Sequence, residues 1–189
     1  FFSKTIDNPI EFFETPASDT NRARSIINAE STEIDGIEIE GLIRLSMLGD
    51  WGEAFFIQGN ATIQNAETVA SPRADAPTND KREATGASEF IGNLMLGFDS
   101  NDGAHTASLI YNVFGERLYS AGRLGAPDEF EQPFNSLDFT YTWYPTDTLT
   151  LKAKLQNVLN ESVEIEGGGV VVFREDPGTS LSFRLKYAF

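Results

Sequence analysis

Seven stretches of this chain alternate apolar and polar residues with a period of two, and none of the apolar faces carries a charge. Ile37, Ile39, Gly41, Ile43 and Leu45 form one such face, and Phe55, Ile57, Gly59, Ala61 and Ile63 the next. Then come Phe90, Gly92, Leu94, Leu96 and Phe98, followed by Ala107, Leu109, Tyr111 and Val113. The last three are Leu137, Phe139, Tyr141 and Trp143; Leu149, Leu151, Ala153 and Leu155; and Leu181, Phe183, Leu185, Tyr187 and Phe189. Period two sends successive side chains to opposite faces of a β-strand. An opening strand around Phe1 to Phe13 is patterned less cleanly. The chain thus holds eight candidate strands, each near the 9–11 residues or so that a tilted membrane-crossing strand needs. Charged residues make up 23% of the chain, so chance would place one at about every fourth apolar-face position. They sit on the opposite faces instead, as Glu38, Glu40, Arg44, Asp138, Lys152, Lys154, Arg184 and Lys186.

A bilayer enforces such a face, because a Lys or Arg turned toward lipid costs about 2–4 kcal/mol at mid-membrane. A soluble two-sheet sandwich also buries one face of each strand. The connections separate the two readings. Residues 46–52, 100–103 and 145–147 are short links, whereas 14–21, 67–87, 118–135 and 161–176 are mostly longer and rich in Gly, Pro, Asp and Glu. Short turns on one rim and long loops on the other describe an outer-membrane barrel. Trp51, Phe55, Phe98, Trp143, Tyr144, Tyr187 and Phe189 gather at the short-turn end, as an interfacial girdle would.

Composition removes other classes. The net charge of −15 and pI of about 4.3 argue against a nucleic-acid surface. Without Cys there is no disulfide framework, thiol chemistry or thiolate zinc site. A single His, His105, is too few for a multi-His metal centre. No apolar run is long enough for a transmembrane helix. The opening Phe1-Phe2-Ser3-Lys4 reads as the middle of a strand, without an initiator Met or signal peptide, so a fragment is expected.

The C-terminal text resembles the end of a TonB-dependent outer-membrane receptor. The resemblance rests on Leu137-Asp138-Phe139-Thr140-Tyr141-Thr142-Trp143-Tyr144-Pro145, on the stretch from Leu149 through Asn157 to Glu161, and on Pro177 to Phe189. Upstream, Asn28-Ala29-Glu30 with Asp35 to Glu40, and Lys4 to Glu11 with Asp7-Asn8-Pro9, look like two further strands of that family. The resemblance implies an antiparallel transmembrane β-barrel of 22 strands or so with a plug in its lumen. Residues 1–189 would be its eight C-terminal strands, without plug or TonB box. It further implies energy-coupled uptake of a siderophore, cobalamin or saccharide, with no catalysis and no cofactor. The implied partners are outer-membrane lipid, the barrel-assembly machinery, the rest of the receptor with its plug, TonB through the missing N-terminal part, and a small ligand. Long loops would be extracellular and the C-terminus periplasmic.

Within this frame Phe183, Tyr187 and Phe189 resemble the C-terminal assembly signal. The eight charges named above would face the lumen, where Lys152, Lys154, Arg184 and Lys186 meet a plug surface, wall counter-charges such as Asp138, or an anionic solute. Asp102-Gly103 reads as a hairpin turn rather than a calcium loop, since no bidentate Glu follows at the required distance. Gly167-Gly168-Gly169 lacks the Lys-Ser or Lys-Thr of a phosphate loop and reads as a flexible loop tip. His105 lies beside a short turn with no nucleophile motif nearby. The pairs Glu129/Glu131, Glu164/Glu166 and Glu175/Asp176 read as solvated loop charge. Two other architectures remain open on the residues alone. A complete, closed eight-stranded barrel requires its first and last strands to pair, and a soluble sandwich requires Phe139, Tyr141, Leu149 and Leu151 to face a dry core.

Overall fold

The computed structural model describes residues 1–18, 21–71 and 77–189. Its strands in chain order are β1 (Phe2–Asp7), β2 (Ile10–Ser18), β3 (Asn21–Asn28), β4 (Ser31–Arg44), β5 (Phe55–Val69), β6 (Lys81–Glu83), β7 (Phe90–Asp99) and β8 (His105–Phe114). They continue as β9 (Arg117–Ser120), β10 (Glu129–Glu131), β11 (Phe134–Thr146), β12 (Leu149–Gln156), β13 (Val163–Gly167), β14 (Val170–Glu175) and β15 (Ser180–Tyr187). Among the described residues no helix is long and apolar enough to cross a membrane.

One large antiparallel sheet runs β1-β4-β5-β7-β8-β11-β12-β15, with β6 added to the outer part of β5. Its pairing register joins the alternating segments into a single surface. Ile43 opposes Ile57, Ile57 opposes Leu96, Leu96 opposes Leu109, Leu109 opposes Phe139, Phe139 opposes Leu155 and Leu155 opposes Leu181. A one-residue slip at any junction would break this rung, because it would carry a whole strand's side chains to the other face. The rung stays uncovered: Ile43 is 55% exposed, Phe139 40% and Leu181 60%. Burying a Leu, Ile or Phe side chain contributes about 1.5–3 kcal/mol, and this wall leaves that stabilisation unrealised on strand after strand. An exposed apolar surface of this extent marks contact with lipid or a partner.

The opposite face is polar. One rung reads Arg44, Phe56, Gly97, Ser108, Thr140, Lys154 and Ser182 from β4 to β15. At Gly97 the far edge of the Phe56 ring lies over the backbone, so that an added Cβ would come within 2.1 Å of it. The aromatic ring shields a glycine from its neighbouring strand, and any side chain there would have to displace it.

Two expectations fail on this topology. The sheet path ends at β1 and β15, which do not pair with each other, so the described residues do not form a closed eight-stranded barrel. Among the described residues no second sheet covers the apolar face, where Phe139 is 40% exposed, so they do not form a sandwich with a dry core either.

The long connections are more ordered than the sequence suggests. β2 and β3 form a hairpin, and β14-β13-β10-β9 form a second sheet. The opening strand is two strands, separated at Asn8 and Pro9. Asn8 adopts φ 52, which Asn tolerates, and Pro9 has no N–H for the ladder. Backbone bonds from Asn8 to Glu30 and from Ala29 to Pro9 keep the hairpin rooted. Gly168 and Gly169 are not a loose tip but the two turn residues between β13 and β14. Their φ values of 62 and 79 are those of the tight hairpin turn that matches strand twist. The link at 46–52 is built of two 3-10 turns, Leu45–Leu48 and Asp50–Ala54.

Most of the buried residues collect at the other end of the sheet, where the long connections fold. Leu118, Ala29, Ala121 and Ile165 are at most 4% exposed. Thr32 and Thr68 share a hydrogen bond of 2.6 Å between their hydroxyls in the same region.

Candidate functional site

The polar face of the wall and the loop end above it hold the residues with chemistry. Along β4, Glu38 opposes Thr62, Glu40 opposes Asn60 and Arg44 opposes Phe56. From Glu40 a rung of amides crosses the wall through Asn60, Asn93, Asn112 and Ser136. Asn93 donates to the Asn60 Oδ1 at 2.8 Å, and Asn112 donates to the Ser136 hydroxyl at 3.2 Å. Each amide carries more donors and acceptors than these bonds use, so the rung offers hydrogen-bonding groups to whatever lies against it. This ladder was not singled out from the sequence. Its three Asn residues sit on the polar face of three different strands, with Ser136 on a fourth, and become neighbours only through register.

At the other side of the wall the cations converge. Lys152 directly opposes Arg184, Lys154 opposes Ser182 and Lys186 opposes Thr150. The counter-charge is Asp138, 3.5 Å from the Lys154 Nζ. Asp138 also accepts the backbone N–H of Asn157 at 3.0 Å. Strands β5, β7, β8 and β11 separate this group from Glu38, Glu40 and Arg44. The eight expected charges therefore share a face without forming one cluster. Phe183 and Tyr187 lie on the apolar face, with Phe183 77% exposed, and Phe189 follows the end of β15 with its ring 6.5 Å from that of Tyr187.

His105 sits at the turn end, opposite Trp143. Its Nδ1 is 2.7 Å from the Tyr141 hydroxyl, and its ring stacks against those of Tyr141 and Trp143. The neighbouring turn is held by Asp102, which accepts from the Ser100 hydroxyl and the Ala104 N–H, with Gly103 at φ 69. The Ser100 hydroxyl and the Ala104 N–H hold the Asp102 carboxyl below its ordinary range.

At the loop end the carboxylates are mostly paired. Glu131 binds Arg117 at 2.7 Å, and Arg174 bridges Glu164 at 2.8 Å and Asp176 at 2.9 Å. The Ser162 hydroxyl and Arg174 hold the Asp176 carboxyl below the usual range. Glu129 is 3% exposed, which corrects its reading as solvated charge; it lies on β10, an inner strand of the second sheet between β9 and β13. An open cavity of about 460 Å³ is lined by Asn79, Glu116, Asp128, Phe130, Gln132 and Glu166, among others. Within it Asn79 donates to Asp128 at 2.7 Å and Gln132 to Glu116 at 3.0 Å. No group of three or more metal-ligating side chains occurs among the described residues.

Sequence reasoning also missed an ion pair between Glu11 and Arg82, side chains 2% and 5% exposed. It joins β2 to β6 across 71 residues. The Glu11 Oε1 and Arg82 Nε are buried without a hydrogen-bond partner. Burial pushes the Glu11 carboxyl above its ordinary value against the pull of Arg82. Glu83 beside it is raised too, by burial and by Glu89, Glu116 and Asp128.

No family model and no curated protein matches this sequence. Solved structures do match its fold. The ferric yersiniabactin uptake receptor FyuA of Yersinia pestis superposes with a TM-score of 0.61 at 13% identity, covering 87% of this chain and 25% of that one. Two mutant forms of the ferric enterobactin receptor PfeA of Pseudomonas aeruginosa give TM-scores of 0.62 and 0.63 at 17% and 15% identity. Each covers 99% of this chain and 28% of the receptor. The chain thus spans roughly a quarter of the length of the receptors it resembles. At these identities the likeness establishes the fold, an antiparallel segment of a β-barrel wall.

Proposed function

We propose that residues 1–189 are the C-terminal part of the barrel of a TonB-dependent outer-membrane receptor. In this reading they form wall, extracellular loops and assembly signal for energy-coupled uptake of a scarce solute. The observation that carries the reading is the continuous uncovered apolar rung across seven strands, backed by a polar face of charges and amides. A barrel in a bilayer needs lipid on one side and a wet or plugged lumen on the other. The solved ferric-siderophore receptors of like fold favour a siderophore within the broader class of siderophore, cobalamin or saccharide.

On this reading the apolar face meets outer-membrane lipid, and Glu38, Glu40, Arg44, Asp138, Lys152, Lys154, Arg184 and Lys186 face the lumen. Phe183, Tyr187 and Phe189 are the signal for the barrel-assembly machinery. The ordered loop end is extracellular and the short turns and C-terminus are periplasmic. The plug and the TonB contact belong to the rest of the receptor. The process is capture and conformational release, without covalent chemistry. The test is made on the complete protein that carries these strands. It should fractionate with the outer membrane, migrate faster in gels before boiling than after, and support ferric-siderophore uptake that a protonophore abolishes. Recovery as a soluble protein would end the proposal.

A further inference from the structure

We infer that the apolar face of β8, β11, β12 and β15 holds one zwitterionic phospholipid at its short-turn end. His105, Tyr141 and Trp143 bind its phosphate, and its chain fills the hollow over Ala153. The inference goes beyond bulk lipid contact and rests on the barrel reading, in which this face meets the bilayer.

His105 is the residue that calls for a ligand. In the β8–β11 register it opposes Trp143, one level nearer the turn than the pair Ala107 and Tyr141. Its ring therefore belongs to the face of Leu109 and Tyr111, not to the polar face. An ionisable side chain on a lipid-facing surface is rare and marks a functional site by default. Its Nδ1 and the Tyr141 hydroxyl are 2.7 Å apart, and that bond uses one hydrogen of the pair. If the hydroxyl donates, Nε2 keeps its N–H; if Nδ1 donates, the hydroxyl keeps its O–H. A donor is left over in either tautomer. The Trp143 indole stacks on the imidazole and is 42% exposed. Its N–H has no acceptor among the described residues.

These donors adjoin an apolar hollow. Ala153 stands between Tyr141 and Phe183 on the neighbouring strands, and Leu151 between Trp143 and Leu185. The small Ala153 side chain leaves a space of about 530 Å³ bordered by those six residues, within the range of about 300–1,000 Å³ typical of small-ligand sites. Lys152 and Arg184 also border it, but alternation sends their side chains to the opposite face, where they border a separate hollow. Tyr141 and Trp143 belong to both parts. The donors lie at the turn rim, and the hollow runs from that level toward the middle of the sheet. That is the order of headgroup and chain in a lipid.

The charges choose the headgroup. The groups left over at His105 and Trp143 are donors, which suits a phosphodiester. The Asp102 carboxylate stands in the adjoining turn, near enough to His105 for their charges to interact. Its bonds from Ser100 and Ala104 both end on Oδ1, so it keeps acceptor capacity for an ammonium. No Lys or Arg occupies an apolar-face position of these four strands. A net-anionic headgroup would meet Asp102 uncompensated, whereas phosphoethanolamine answers both the donors and the carboxylate.

The experiment is native mass spectrometry of the complete receptor in mild detergent, titrated with phosphatidylethanolamine or phosphatidylglycerol. Expected is one phosphatidylethanolamine adduct that outlasts the other lipid and binds about tenfold tighter than phosphatidylglycerol. His105→Phe/Tyr141→Phe keeps the rings, removes the donors and should weaken that adduct about tenfold. Ala153→Leu should block it by filling the hollow, and Asp102→Asn should erase the headgroup preference. Should Ala153→Leu fail to insert, the double ring variant decides. An inserted ring variant with wild-type affinity overturns the site and leaves the barrel reading standing. So does tighter binding of phosphatidylglycerol, or saturable binding of inorganic phosphate in place of lipid. A wild-type protein without heat-modifiable migration overturns the function proposal and this inference together.

Discussion

The wall and the loop end are made from the same chain by opposite solutions. In the wall, large apolar side chains stand exposed on one face, and stability depends on what surrounds the sheet. At the loop end, small and polar residues are the buried ones, and the structure closes on itself through paired side chains. Ile43 is 55% exposed whereas Leu118 is wholly buried. A wall that relied on its own core would turn Ile43 inward, and a loop end that met lipid would not hide Glu11. The difference teaches that the two parts answer to different solvents. One sheet can serve both because the alternation stops at the level of Ile37 and Ile63, above which Asp35, Asn65, Glu33 and Glu67 oppose one another.

The largest effect should come from breaking the loop end at its buried ion pair. Arg82→Ala leaves the Glu11 carboxylate buried without its partner, a loss of the order of 3–5 kcal/mol. Hydrogen exchange in β2 and β6 should rise together while the wall strands keep their protection. If both regions loosened equally, the contrast between them would be false. The wall should be broken by charge on its apolar face. Leu109→Arg in the bilayer-inserted protein should cost about 2–4 kcal/mol by reversible urea unfolding, whereas Ser108→Arg on the polar face should cost far less. Equal costs at the two neighbouring positions would remove the lipid assignment. Gly97→Val tests the polar face sterically. The Cβ meets the Phe56 ring, and a loss of about 1–3 kcal/mol is expected from overpacking. Phe56→Ala in the same background should recover part of it.

Much of the wall was legible in the sequence because period-two alternation is a local signal and seven of its strands repeat it. The same pattern sets the face that each strand turns to its neighbour, but pairings two residues apart keep Ile43, Ile57, Leu96 and Leu109 on one side equally well, so the register itself came from the folded sheet. The loop end was not legible, for three physical reasons. Its strands are short: β6 and β10 hold three residues each. Its core is made of Ala29, Ala121, Leu118 and Ile165, too sparse to show a period. Its key contact, between Glu11 and Arg82, joins residues 71 apart, and nothing local in either segment announces it. The amide rung occupies a middle position: each Asn lay visibly on a polar face, but its neighbours required the register of the folded sheet.

The mildest and most discriminating test is pH, because the two regions should respond differently. The Glu11 and Glu83 carboxyls are raised by burial, so the folded loop end holds protons that the opened form releases. Their contribution to stability is complete below the ordinary carboxylate value of 4.5 and is lost as pH rises through the folded value. Closing of β2 against β6 should therefore strengthen when pH is lowered from neutrality toward 4.5, once intrinsic exchange rates are corrected. The carboxyls of Asp102 and Asp176 are lowered. Their contributions are present above the ordinary 3.8 and disappear only as pH falls through their folded values, so they leave that window untouched. Glu11→Gln should flatten most of the slope and leave the share of Glu83. A loop end that weakens on acidification to 4.5 would show that Arg82, not burial, governs Glu11. The rung from Ile43 through Leu109 and Phe139 to Leu181 serves as the reference, because none of its seven side chains carries a titratable group.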